Sequence, residues 1–529
     1  MQKPARTFVI LFWVVAALLY LGPRLSGLEL DPPRTVLTGS IGAELLVEPP
    51  AKAHEARNWA LFGAWKLNDA DNYQFWRAQS PAWVYPLALS FKTFGVSYAT
   101  LRTTATLFGL AGLVAVILLA HRRWGPKGAV IAAVLLATDQ FGIYFGRSGI
   151  LEPIVAGWCA LSFYFLDRAF ERVAWLGPAF LALVIALATK LAALPAVPVV
   201  VLFGGLAVFR GQGAEQQARL RWVVPALVVV LFVALGAYAL SPAYRRTLEW
   251  NFHHMLLARE GGSGLDLDAL DDEEIGATAD EVVKRLNRLR WMFPVTFFCG
   301  AFELARQAYL VIRRRATRRD AMALLYFVSF AVGVLVPRFS GLRFLVLLHI
   351  PLVILTIGFV CGVSEWLAEQ KHVATRMVAR VGPLLFALGA AAWGLGTWAY
   401  ARSILGHELR DSAALLKEKI GDRPNAVVIG LWAAPVVLGT PYKHYYVKSV
   451  FNSTPEALAA LGPTHTLLLE NQDYTRSILD GQWPDALTLA KPLGTTTLRD
   501  RPLTLSEVSL VARNRLRRQL GLPLVFDRP

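Results

Sequence analysis

The sequence predicts an all-α polytopic membrane protein with a small extramembrane α/β domain at its C-terminal end. Three observations carry that expectation. Of 529 residues, 55% are hydrophobic and only 17% charged, with a mean hydropathy of +0.44, whereas a soluble domain carries roughly 25% charged residues. Apolar runs of the roughly 20 residues needed to cross a bilayer recur from residue 7 to residue 401. Beyond Ser403 the runs shorten and change period: 426–430 and 466–469 read as strands, 412–420 and 456–461 as helices.

The length rule gives about eleven spans, near 7–22, 103–121, 127–145, 151–167, 173–189, 191–209, 222–240, 291–311, 320–337, 343–363 and 378–401. The stretch 173–209 is interrupted only at Thr189-Lys190, so it is two short spans or one broken hairpin. The first segment follows Lys3 and Arg6 and reads as a retained helix, because Pro23-Arg24 is a poor cleavage context and more spans follow. His121-Arg122-Arg123, Arg168 with Arg172, the residues 210–221, Arg313-Arg314-Arg315 with Arg318-Arg319, and 371–380 form one consistently basic side. That side is expected to be cytoplasmic, with the N-terminus on it and the C-terminal domain extracytoplasmic.

These clusters account for the net charge of +16. No basic stripe with a recognition motif accompanies them, which excludes nucleic acid as a partner. Cys159, Cys299 and Cys361 lie inside apolar stretches and read as small buried hydrophobes, not as a disulfide framework or metal site. Three segments interrupt the apolar pattern, all on the outer side: 26–101, 241–290 and 403–529. They divide the chain into a first membrane module (1–240), a second (241–402) and the α/β domain (403–529).

The outer loop 26–101 is far too long for a helix–helix connector, usually about 2–8 residues. It contains His54-Glu55-Ala56-Arg57-Asn58-Trp59, in which His54, Arg57 and Asn58 share one helical face. A helix here presents an acid, a base and a cation near the outer membrane surface. Farther on, 83–95 is amphipathic and aromatic and reads as a helix lying in the interface.

The run from His54, the aromatic interfacial segment ending Phe94-Gly95-Val96, and Arg102 opening the next span together resemble the phospholipid-carrier-dependent glycosyltransferases. These are the GT-C superfamily of membrane enzymes that includes protein O-mannosyltransferases and aminoarabinose transferases. The resemblance covers roughly the first 210 residues and, weakly, Arg343 to Pro351. It implies a sugar donor linked to a polyprenyl phosphate, a lipid, glycan or protein acceptor, and transfer at the outer face with inversion. The family carries Asp-Glu in the first loop, often with Arg or Tyr two residues later. Glu55 and Arg57 match that pattern, and His54 stands where the family has aspartate, the residue commonly assigned as base. Either Glu55 is the base, or His54 takes that role, or the protein is not a transferase of the usual kind. A carboxylate whose burial raises its pKa suits the task, and Glu55 is the favoured choice.

The resemblance also fixes Arg147 and Glu152 at the outer mouth between two spans, where the family has an arginine and then an acid. Glu152 would orient the acceptor or help hold a divalent metal ion; the plain alternative is an acid favoured at a helix N-terminus. Lys190 and Arg343 are the expected phosphate cations, with Arg57 and Arg147 as further substrate-binding candidates; snorkelling to the interface is the alternative for the first two. Asp139 lies within an expected span and is assigned only an inward polar contact. The acidic stretch 266–274 reads as a solvated loop, and His253-His254 has no partner spacing for a metal. The expected function is a membrane glycosyltransferase, and the Ala-, Leu- and Arg-rich style points to a bacterial plasma membrane. Its rivals are a lipid-linked glycan flippase, which calls for internal repeats that the sequence lacks, and an inactive glycan-binding relative, kept open by His54.

Overall fold

The computed structural model describes residues 6–33, 35–36, 39–40, 44–71, 76–209, 279–337, 342–423, 425–447, 452–470 and 474–526. The expected span at 222–240, His253-His254 and the acidic stretch 266–274 lie outside the described residues. The protein is a polytopic α-helical membrane protein with an α/β domain after residue 407. Helix α1 (Arg6–Leu25) turns Phe8, Leu11 and Leu18 outward toward lipid. A two-residue ladder, β1 (Thr35–Val36) with β2 (Gly39–Ser40), precedes the loop helices α2 (Glu44–Lys52), α3 (His54–Phe62), α4 (Trp76–Gln79) and α5 (Pro81–Phe94). The amphipathic expectation for 83–95 corresponds to α5, which buries Trp83, Val84, Leu87 and Phe91 and exposes Tyr85, Leu89 and Phe94.

Helix α6 (Tyr98–Thr138) has 41 residues, about 60 Å at 1.5 Å per residue and twice a bilayer core. It is two helices joined at Gly125 (φ +67°), with Pro126 starting the second. The expected span 127–145 is corrected here: the helix stops at Thr138. Asp139 takes an extended backbone, its carboxylate accepts the Gly142 N–H at 2.7 Å, and a separate helix α7 (Gln140–Ser148) begins. Gly149, at φ +90°, ends α7 in the left-handed conformation. Helix α8 (Leu151–Ala169) then leaves at 105° to α7.

The remaining helices before the α/β domain are α9 (Leu176–Thr189), α10 (Ala196–Phe209), α11 (Ala279–Met292), α12 (Pro294–Ile312), α13 (Arg318–Leu335), α14 (Leu342–Leu345), α15 (His349–Glu369) and α16 (Val373–Ser403). Where about eleven spans were expected, five helical stretches among the described residues are long and apolar enough to cross a membrane, or six counting α7 with α8. Helices α9 and α10, at 14 residues each, are shorter than a span. One core unites these helices, with α6 against α1, α8, α15 and α16. Helices α6 and α8 meet through glycine: a Cβ on Gly112 would lie 2.9 Å from the Gly157 Cα, and one on Gly157 2.9 Å from the Gly112 nitrogen. Without a hydrophobic force between helices in lipid, such close backbone approach is a main source of packing.

After α17 (Glu408–Ile420) the chain forms β3 (Val427–Ile429), α18 (Ala433–Val437), β4 (Lys443–Tyr445), α19 (Pro455–Leu461), β5 (His465–Leu469), α20 (Tyr474–Gln482), α21 (Asp485–Thr488), β6 (Lys491–Leu498), β7 (Arg501–Glu507) and α22 (Leu510–Gln519). The sheet order is β4-β3-β5-β7-β6, with β4, β3 and β5 parallel and β7 and β6 antiparallel. A core lies on each face of this sheet. One is completed by Leu46, Val47 and Ala51 of α2, so the domain is packed onto the first loop.

Gly112→Val or Gly157→Val should push α6 and α8 apart at an overpacking cost of about 1–3 kcal/mol, read as a lower thermal midpoint and less monodisperse protein in detergent. Gly362→Ala, where a Cβ would meet nothing within 4 Å, should leave both unchanged.

Candidate active site

The bend between α7 and α8 sets Glu152 in the first turn of α8 with no solvent exposure. A carboxylate sealed from water is tolerable only when paired. Lys190, in extended backbone at the end of α9, brings its Nζ to 2.5 Å from Glu152 Oε1. Arg343 of α14 places Nε 3.4 Å from the same oxygen and Nη1 2.6 Å from Glu48 Oε1. Lys52 Nζ lies 3.1 Å from Glu48 Oε2. Glu48 and Lys52 sit one turn apart on α2 and face the membrane helices, while Leu46, Val47 and Ala51 face the α/β domain. The Phe344 ring lies 4.7 Å beneath Lys190 Nζ. Among the described residues, three cations thus meet two carboxylates. Burial acts to raise the Glu48 carboxyl, but Arg343, Lys52 and Lys190 overcome it and hold it well below the usual carboxylate range.

Two residues past Lys52, α3 begins a second buried group. His54 Nε2 lies 2.8 Å from Asp71 Oδ2, and His54 Nδ1 lies 3.2 Å from Nε2 of His444 on β4. Asn452 donates to Asp71 Oδ1 at 3.1 Å, and the Asn58 amide sits 3.2 Å from His54 Nε2. Glu55 is 2% exposed and accepts the backbone N–H of Arg77. Burial pushes its carboxyl up to about 8, against the Arg77 N–H and charge and with help from the Asp71 charge. The two groups adjoin through α4: Lys52 Nζ lies 5.5 Å over the Trp76 ring, and the next residue caps Glu55.

The structure brings Glu152, Lys190 and Arg343 together, and His54 and Glu55 next to them. It does not bring Arg57 or Arg147 into either group. Arg57 is fully buried and donates to the carbonyls of Val437, Leu438, Thr440 and Tyr442, which ties α3 to the α/β domain. Arg147 donates to the carbonyls of Ser26 and Gly27 at 2.7 and 2.6 Å, fixing the start of the first loop. Asp139 caps α7, and the Arg24 guanidinium beside it donates to Tyr20, Leu136 and Ala137 carbonyls, tying α1 to the end of α6. Small cavities on either side of this break are lined by Arg24, Gly142 and His349, and by Asp139, Gln140 and Phe293. Sequence reasoning missed Glu48, Lys52, Asp71, His444 and Asn452. Only the Glu48–Lys52 spacing of four was a usable signal.

A divalent metal ion has no evident seat among these residues. No three of His, Cys, Asp or Glu gather as ligands among the described residues. Glu48 and Glu152 each face an ammonium and a guanidinium that a dication would have to displace.

No family model matches the sequence, and no curated protein matches it. Solved structures do match. ArnT from Cupriavidus metallidurans bound to undecaprenyl phosphate superposes with a TM-score of 0.60 at 15% identity, over 96% of this chain and 99% of that one. The same protein in the apo state gives 0.59 at 14% identity over the same shares. The Archaeoglobus fulgidus oligosaccharyltransferase in its apo form gives 0.55 at 13% identity, over 88% of this chain and 70% of that one. At these identities what is held in common is the arrangement of the chain, and an overlap of 96% takes in the α/β domain as well as the membrane helices. The resemblance read from the first loop and the three-dimensional likeness agree: the chain has the fold of the GT-C glycosyltransferases.

Proposed function

We propose that the protein transfers a sugar from a polyprenyl-phosphate-linked donor to an acceptor hydroxyl at the extracytoplasmic face of a bacterial plasma membrane. The observation that carries this reading is the charge of the buried cluster. Lys52, Lys190 and Arg343 converge there on Glu48 and Glu152, and a sugar–phosphate–prenyl diester brings a negative charge that such cations can hold. As transfer proceeds, the leaving phosphate gains a second negative charge close to fixed cations, which favours the transition state over the ground state. Glu152 and Glu48 hold those cations in place in the absence of donor. The undecaprenyl phosphate bound to the structurally similar ArnT supports a carrier of that class.

Glu55 is the proposed base. It takes the acceptor proton while the acceptor oxygen bonds to the anomeric carbon and the carbon–phosphate-oxygen bond breaks, the electron pair leaving with the phosphate. An in-line displacement of this kind inverts that carbon. Two observations favour Glu55 over His54: both ring nitrogens of His54 are already engaged, and burial raises the Glu55 carboxyl to about 8, near the working pH of a base. Because Arg77 caps Glu55, the acceptor reaches it by displacing α4, a four-residue turn with no fully buried side chain. A mechanism of this form routes no step through a metal ion.

Lys190→Gln and Arg343→Gln should each weaken undecaprenyl phosphate binding in detergent by about 10- to 100-fold, since a hydrogen bond to a charged group is worth about 1.5–3 kcal/mol. Unchanged affinity in both folded variants would remove the phosphate site. Tested with a panel of undecaprenyl-phosphate sugars, Glu55→Gln should lose turnover by about 100-fold or more yet keep that binding. Because the base works ionised, wild-type turnover should climb as pH rises through about 8. Turnover by Glu55→Gln at the wild-type rate would refute the assignment.

A further inference from the structure

The α/β domain does more than cover the first loop. Its strand β4 delivers His444 directly onto the ring of His54, with centroids 4.8 Å apart and the rings edge to face. His444 and His54 are 1% and 2% exposed and Asp71 and Asn452 are equally buried, so each polar atom must be accounted for within the protein. The chain of contacts runs from Asn452 Nδ2 to Asp71 Oδ1, from Asp71 Oδ2 to His54 Nε2, and from His54 Nδ1 to His444 Nε2.

The donors and acceptors in that chain can be assigned. Asp71 is an acceptor at both oxygens, so His54 carries its proton on Nε2 and donates it. The Asn58 amide next to that N–H must then present its oxygen, which is the one Asn58 atom buried without a partner when the amide is turned the other way. His54 Nδ1 is left as a lone pair and accepts from His444 Nε2–H. The remaining nitrogen, His444 Nδ1, is buried with no hydrogen-bond partner among the described residues. A bare lone pair there costs less than an N–H with no acceptor. Burial, with the Arg57 charge, holds the His444 ring well below the usual histidine range, so it keeps a single N–H to give.

We infer that His444 and Asn452 of the α/β domain are positioning residues that lock His54 as the Nε2–H tautomer on Asp71, and through that pair hold Glu55 and its helix α3 in working orientation. This rests on the proposed role of Glu55, which neighbours His54 in sequence and lies in the field of Asp71. Arg57, one turn along α3 from Ala53, anchors the same helix to the same domain by four carbonyls. The domain therefore grips α3 mechanically through Arg57 and chemically through His444.

The test reads the tautomer directly, without turnover. Full-length protein labelled with 15N-histidine in detergent should show the His54 signal, identified by its loss in His54→Gln, as the Nε2–H form. His444→Gln, which keeps an N–H donor near the Nε2 position, should retain it. His444→Phe should move His54 off that form, and the midpoint of the pH–turnover curve should move with it while undecaprenyl phosphate affinity stays within about 2-fold. If His444→Phe does not fold, Asn452→Leu serves as the second probe, and a shifted His54 signal is again expected. A wild-type His54 signal in the Nδ1–H form, or one unchanged in the folded Phe or Leu variant, overturns the inference. An active Glu55→Gln with the predicted tautomer changes intact would refute the base instead, so the two failures are separable.

Discussion

A carboxylate with no access to water, at the first turn of a membrane helix, is the constraint around which the outer end of this protein is arranged. Glu152 cannot stand alone at that depth, because the cost of an isolated buried charge exceeds the stability of most domains. It draws Lys190 from the end of α9 and Arg343 from α14, and Arg343 in turn draws Glu48 and with it α2. Four segments separated by up to roughly 300 residues are tied at one point by charge. The geometry resembles other buried ion networks in that breaking one member strands the rest.

The backbone makes that meeting possible by refusing to be regular. Had α6 run on past Thr138 and α8 simply returned, Glu152 would have started its helix in line with a span. Asp139 instead stops the helix by capping α7, and Gly149 ends α7 with a left-handed residue, giving the turn of 105° that points the start of α8 inward. The Gly112–Gly157 contact then holds α8 against α6 closely enough for the bend to be transmitted. Interrupted helices in membranes are tolerated where protein satisfies the exposed backbone. Arg24, donating to the Leu136 and Ala137 carbonyls at this break, is that satisfaction.

The membrane class, the helical nature of the first loop, its amphipathic helix and the α/β tail could be read from hydrophobic period and length alone, because burial in lipid or in a sheet imposes those periods directly. Glu152, Lys190 and Arg343 could be read because a resemblance fixed their positions. What could not be read were partners set by tertiary contact. Glu48 precedes Pro49-Pro50, a dipeptide that suggests a loop, yet it sits on a helix. Asp71, His444 and Asn452 have no periodic or motif signal, since His444 meets His54, and Asn452 meets Asp71, across nearly 400 residues of chain. Arg57 shows the converse. Its place in the motif suggested a ligand contact, while the structure gives its guanidinium a ladder of carbonyls, a use of arginine that leaves no trace in local sequence. The expected span at 127–145 failed for a related reason: composition reports how apolar a stretch is, and one aspartate decides where the chain turns.

The register of the small parallel ladder has an effect out of proportion to its length. β4 pairs with β3 so that Lys443, His444 and Tyr445 lie beside Val427, Val428 and Ile429, and alternate residues point to opposite faces. A slip of a single step would carry the His444 imidazole to the far side of the sheet and offer a lysine or tyrosine in its place. The apolar side chains that set this alignment never approach a reacting atom, yet they act as the vernier by which an imidazole in one domain is aimed at an imidazole in another.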